Sequence, residues 1–132
     1  MGIATADASN GRQVQDAQVY NTVIRNDLQP VIGYVGSCED LNEQQACATG
    51  AAKTHPTIVK TLADLAQLTI PASLTTDNTD LLAAMKRLDA ACAPVIAAQG
   101  NVAQAYADNE YVTADLQVTA VLNRIGSDSA AG

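Results

Sequence analysis

The sequence predicts an all-α fold, an up-down-up-down four-helix bundle with proline-kinked helices. Apolar residues recur at steps of three and four through four long segments, which is the spacing of one helix face. Alanine is the commonest residue, and its small side chain favours helices and lets them approach closely. Packing four apolar faces together is the simplest way to bury them.

The third helix, predicted over residues 78–100, has the clearest amphipathic pattern. The polar residues 77–79, beginning with Asp77, are typical of a helix start, and Gly100 is typical of a helix end. Its predicted buried stripe is Leu81, Met85, Leu88, Cys92 and either Val95 or Ile96.

The first helix is predicted over residues 11–38, after ten small and polar residues (1–10) that we expect to be poorly ordered. Pro30 lies inside this helix and removes one backbone hydrogen bond, which predicts a kink rather than an end. The predicted buried stripe is Ala17, Tyr20, Ile24, Leu28, Val31 and Val35.

The second helix is predicted over residues 40–68. Asp40 and Glu43 have the D-x-x-E spacing of a capping box. Pro56 predicts a kink, and a split into two shorter helices near that residue is the alternative. The predicted buried stripe is Cys47, Ala51, Ile58, Leu62 and Leu65.

The fourth helix is predicted over residues 101–125, with Gly126 as its stop. The domain organisation is therefore a disordered segment (1–10), one helical-bundle domain (11–126) and a disordered tail (127–132). The predicted buried stripe is Val102, Tyr106, Val112, Leu116, Ala120 and either Val121 or Leu122.

Three cysteines constrain the compartment. Cys38 and Cys47 lie almost symmetrically about the first predicted turn, which permits the Cα separation that a disulfide needs. Such a bond implies an oxidising compartment. A rival disulfide would join Cys47 to Cys92, since their predicted heights in the bundle also match. The remaining alternative is that all three cysteines are reduced. Cys92 otherwise reads as a small buried core residue.

The sequence contains no catalytic or metal-binding motif. His55 is the only histidine, no CxxC is present, and the C-x8-C spacing of Cys38 and Cys47 is not a zinc or redox pattern. The acidic residues are scattered, and no phosphate-binding glycine loop or nucleophile motif occurs. We therefore expect a protein that is not an enzyme, with no metal site and no cofactor, although His55 with a tyrosine opposite could ligate haem.

The segment around Asn109 is the candidate interaction surface. Tyr106 and Tyr111 flank this polar residue near the predicted inward stripe of the fourth helix, and tyrosine is favoured in interfaces. The alternative is that both rings are half-buried, with their hydroxyls in water.

A net charge of −7 and a pI near 4.3 argue against nucleic acid as a partner, and no apolar run approaches the length of a membrane span. These features predict a non-enzymatic, extracytoplasmic bundle that acts by protein binding or self-assembly. It would be secreted, periplasmic or at the cell surface, with a leader removed or missing from this sequence. The alternatives are a haem or small-molecule carrier with its ligand between the helices, and a viral or phage structural component.

Overall fold

The computed structural model describes residues 2–39, 44–98 and 104–131. In these residues the chain forms four α-helices. They are α1 (Gly2–Gly36), α2 (Gln44–Leu65), α3 (Thr75–Ala97) and α4 (Gln104–Ala131). One turn of 3-10 helix, Ser37–Glu39, follows α1, and a second, Ala72–Leu74, leads into α3.

Each helix packs mainly on two neighbours, with α1 against α2 and α4, and α3 against α2 and α4. This closed square of consecutive helices confirms the predicted four-helix bundle. A single apolar core runs along its axis.

The predicted stripes of α1 and α3 are confirmed. All six α1 positions are buried, from Ala17 to Val35. In α3 the choice between two neighbours falls on Val95, which is fully buried, whereas Ile96 remains 43% exposed. The match is close because large apolar side chains recur along these faces at steps of three and four.

Three helices contain an internal proline, and none of them is interrupted. Pro30, Pro56 and Pro94 lie within α1, α2 and α3, and each is exposed. Because each proline ring points outward, the carbonyl group that loses its N–H donor, and the steric conflict with the ring, lie on the solvent side of the helix. The continuous α2 excludes the alternative in which this helix splits near Pro56.

The predicted stripe of α2 is confirmed except at one residue. Cys47, Ala51, Ile58 and Leu65 are buried, and Leu62 is only partly so. The face also contains two buried threonines, Thr54 and Thr61, which the sequence pattern did not assign to the core. Their hydroxyls donate to the carbonyls of Gly50 and Thr57 one turn earlier, so that burial leaves neither proton unpaired.

The predicted stripe of α4 is wrong in register, and of its members within the described residues only Val121, one of the two alternatives for the last position, is buried. Tyr106 is 86% exposed, Leu116 is 62% exposed and Ala120 is exposed, while Val112 is half-buried. The pattern favoured large apolar positions, but the buried face of α4 mixes large side chains with two alanines, at 107 and 114. The side chains that do face the core are Ala107, Tyr111, Ala114, Val118, Val121 and Ile125.

The helix ends also differ from the predicted bounds. α1 includes residues 2–10, which were expected to be poorly ordered, and α4 continues past Gly126 to Ala131. Gly126 lies beneath the Arg25 side chain, and Ile125 and Ser129 are buried, so the last turns of α4 belong to the packed structure. The predicted capping box at residues 40–43 lies outside the described residues, as do Gly100 and Val102.

Within the described part of the chain, no helix combines the length and apolar character needed to cross a membrane.

Candidate functional site

The chemistry of this bundle concentrates where α1 ends and α2 and α4 begin. Cys38 lies in the 3-10 turn after α1, and Cys47 lies in the first turns of α2. Their Sγ atoms form a disulfide with Cα atoms 4.6 Å apart. Both residues are buried, so the predicted pairing is present and the rival Cys47–Cys92 pairing is not.

Asp108 of α4 joins this disulfide from across the bundle. Asp108 is only 6% exposed, and its Oδ1 lies 3.4 Å from Sγ of Cys47. A disulfide sulfur carries no proton, so this contact is not a hydrogen bond in the oxidised form. One ligand atom each from Cys38, Cys47 and Asp108 lie within 4.8 Å of one another.

The sequence pattern does not single out Asp108. It lies 61 residues from Cys47 along the chain, and it was one of many scattered acids. Its position next to the buried Ala107 would indicate that Asp108 lies at the edge of the core face. That position can be recognised only when the register of α4 is known.

Cys92 is part of the packing, as predicted. Its thiol is buried and donates to the carbonyl oxygen of Leu88 at 3.3 Å. Burial, with the nearby Asp89 carboxylate, raises the pKa of the Cys92 thiol to about 12. A protonated thiol is a poor nucleophile, so this group is chemically quiet at neutral pH.

His55 faces outward next to Pro56. Its side chain is 61% exposed, and Nδ1 pairs with Oδ1 of Asp89 on α3. The hydrogen-bond partner of His55 in the described residues is therefore a carboxylate on the neighbouring helix.

The candidate interaction surface divides in two. Tyr106 and Asn109 are exposed on the outer side of α4, whereas Tyr111 is fully buried. The Tyr111 hydroxyl is hydrogen-bonded to Oγ1 of Thr54 on α2. Burial raises the pKa of the Tyr111 hydroxyl, so Tyr111 acts in the core as a neutral donor and is not part of a surface.

Ion pairs lie along the seams between helices. Between α1 and α2, Nζ of Lys60 lies 3.2 Å from Oδ1 of Asp27 and 2.6 Å from Oδ2 of Asp64. Between α3 and α4, Nε of Arg87 lies 2.9 Å from Oε1 of Glu110.

The deepest of these ion pairs joins Arg124 to Asp77, which is 4% exposed. Nε of Arg124 donates to Oδ1 of Asp77 at 2.7 Å, and its Nη2 donates to Asp80. Asp128 faces the same carboxylate, and the interaction with Asp77 raises the pKa of Asp128.

Comparisons with known proteins give no relative. No protein-family model, no curated protein and no solved structure matches this chain. The class that the fold and chemistry define is a four-helix bundle with one disulfide at one end.

Proposed function

We propose that this protein is a non-catalytic, extracytoplasmic helical bundle that acts by protein binding, and that its partner is a second copy of itself. The contact surface is the outward row of α4, defined by residues at steps of three and four on the side opposite the core. The members of this outward row are Tyr106, Asn109, Thr113, Leu116 and Ala120.

One observation carries this proposal. Three of the five residues of the outward row, Tyr106, Leu116 and Ala120, are ones that the sequence pattern assigned to the core, yet all three are exposed. A seam with 3-4 spacing is what a helix presents to another helix. Burying Tyr106 and Leu116 against a second helix would remove the two most exposed large apolar side chains of α4 from water.

Charge placement supports the same surface. The ion pairs of α4 with α3 hold Glu110 and Arg124 to one side of the helix, in the seam, and the outward row itself contains no charged residue. Charged groups at the centre of an interface are costly to desolvate, and interface cores are depleted in them. The outward row can therefore be covered without burying a charge of its own.

A second copy fits the outward row because its side chains alternate in size. Tyr106 and Leu116 are large, whereas Thr113 and Ala120 are small. In an antiparallel pair of α4 helices whose two-fold axis passes near Thr113, the large Tyr106 of one copy lies against the small Ala120 of the other, and Leu116 lies against Asn109. The contact closes with two-fold symmetry. The net charge of −7 opposes this association at low ionic strength, so salt should strengthen it.

Sedimentation velocity over a concentration series, at low and high salt, tests this proposal. We expect a monomer–dimer equilibrium that shifts to dimer with salt, and Leu116→Lys should abolish the dimer. Val59→Lys is the matched control, since Val59 on α2 is also exposed (51%) and its variant should dimerise like the parent. A chain that stays monomeric at the highest concentration and salt, or equal loss of dimer in both variants, would overturn self-assembly through α4.

The extracytoplasmic part of the proposal is supported by the disulfide, because such bonds persist in oxidising compartments. Intact mass with thiol counting on native material tests it. One free thiol per chain, that of Cys92, is the expected result. Three free thiols in protein isolated under alkylating conditions would contradict the proposed compartment.

A further inference from the structure

The cluster of Cys38, Cys47 and Asp108 offers a ligand set that the disulfide does not use. We propose that, once the disulfide is reduced, these three residues bind one Zn²⁺ ion. The site is independent of the outward row of α4 and does not require self-assembly.

The donor set suits zinc. Zn²⁺ takes thiolate sulfur and carboxylate oxygen as ligands, in tetrahedral geometry. With a Zn–S distance of ~2.3 Å and a Zn–O distance of ~2.1 Å, a tetrahedral site puts sulfur and oxygen about 3.6 Å apart. The distance from Sγ of Cys47 to Oδ1 of Asp108 is already 3.4 Å. The two sulfurs need to separate from bonding distance to about 3.8 Å.

The surroundings favour a cation at this position. Cys38, Cys47 and Asp108 are all buried, and two thiolates formed in a low-dielectric region are costly unless a cation lies beside them. Two thiolates and one carboxylate carry three negative charges, of which Zn²⁺ neutralises two. The fourth ligand position is left for water or an exchangeable group.

The reaction sequence balances with an external dithiol as reductant. The dithiol gives two electrons to the Cys38–Cys47 bond and becomes a cyclic disulfide, while its two protons pass to the two cysteine sulfurs. Zn²⁺ then binds both sulfurs as thiolates and releases these two protons to the buffer. Oxidation and metal binding therefore compete for the same two atoms.

Cobalt substitution tests the site with Co²⁺ as the probe. We expect the dithiol-reduced chain to take up one Co²⁺, with a thiolate-to-cobalt charge-transfer band and the visible bands of a tetrahedral ion, both lost when Zn²⁺ is added. The oxidised chain should show neither. Cys92→Ser should behave like the parent, because Ser keeps the hydrogen bond to Leu88 and Cys92 is outside the cluster.

Two variants locate the ligands. Cys38→Ser should lose the charge-transfer band, and Asp108→Asn, which keeps the shape of the side chain, should weaken Co²⁺ binding at least tenfold. Far-ultraviolet circular dichroism on the same samples shows whether binding occurs in the helical state. No charge-transfer band in the reduced parent, equal affinity in Asp108→Asn, or binding only by a chain that stays unfolded would each overturn the proposal.

Discussion

The Tyr111 hydroxyl on α4 donates a hydrogen bond to Oγ1 of Thr54 on α2, through the centre of the core. The direction follows from Thr54, whose single hydroxyl proton goes to the carbonyl oxygen of Gly50 at 2.9 Å. Both side chains are fully buried. This bond fixes the height of α4 against α2, because a shift of either helix would leave a buried hydroxyl unpaired.

Replacing Tyr111 by Phe should lower the free energy of unfolding by about 1–2 kcal/mol, because it removes the donor and leaves a buried Thr54 lone pair unpaired. Urea unfolding followed by circular dichroism measures the change. Tyr106→Phe is the control, since that ring is 86% exposed and its variant should differ from the parent by less than about 0.5 kcal/mol. Equal effects in the two variants would mean that the Tyr111–Thr54 bond contributes nothing.

Gly50 should not tolerate alanine, although it lies inside a helix. A Cβ at this position would meet the backbone oxygen of Tyr34 at 2.6 Å, and backbone of a packed helix cannot move aside cheaply. Gly33 in α1 has nothing within 4 Å of the same atom. We therefore expect Gly33→Ala to stabilise the protein by about 0.5–1 kcal/mol through helix propensity, and Gly50→Ala to destabilise it. Thermal unfolding of both variants gives the signs, and a stabilised Gly50→Ala would show that α1 and α2 are further apart there.

Reducing the Cys38–Cys47 disulfide should lower the melting temperature of the metal-free protein. A loop of this length corresponds to about 2–3 kcal/mol of chain entropy in the unfolded state. Calorimetry in the presence of a dithiol and a chelator measures the loss. Cys92→Ser should show the same difference between its oxidised and reduced forms. An unchanged melting temperature on reduction would contradict the structural role of the bond.

Asp128→Asn should stabilise the protein at neutral pH. The pKa of Asp128 is raised in the folded state by hydrogen bonding to Asp77, so the stabilisation from its proton is full at low pH and is lost as the pH rises through that folded pKa. An asparagine amide can donate to the Asp77 carboxylate at every pH, in place of the Asp128 proton, and the buried Oδ2 of Asp77 accepts no hydrogen bond from any other described residue.

The urea midpoint of Asp128→Asn should therefore exceed that of the parent at pH 7, and the gap should narrow in acid. Asn123→Asp, at an exposed position on the same helix, is the control for net charge. It changes the charge by one unit in the opposite sense, so its effect with the sign reversed measures the contribution of net charge alone. A gap that is constant with pH would show that Asp128 and Asp77 do not share a proton.

The fold could be predicted from the sequence because the information is local. The α1 stripe and the α3 stripe consist mostly of large apolar residues at steps of three and four, and Cys38 and Cys47 flank one short turn. Once two adjacent helices are known to be antiparallel, the stripes that face each other and the pairing of the two cysteines are nearly fixed.

The site could not be predicted because it depends on the register of α4. That helix has two faces of similar apolar character, and the large apolar side chains of Tyr106 and Leu116 led the pattern to favour the outer face. The small Ala107 and Ala114 face the core instead, on a helix that packs mainly against α3 and α1. Rotating the helix to this face also turns Asp108 towards the disulfide, which no periodicity of the chain indicated.

Cross-linking at Thr113 tests self-assembly through α4 most directly. Thr113 is exposed at the middle of the outward row, so Thr113→Cys in a Cys92→Ser background places one new thiol near the two-fold axis of the proposed pair. At high salt under mild oxidation we predict rapid formation of a covalent dimer, with Val59→Cys on α2 cross-linking much more slowly. Equal rates at the two positions would contradict the assignment of α4 as the contact surface.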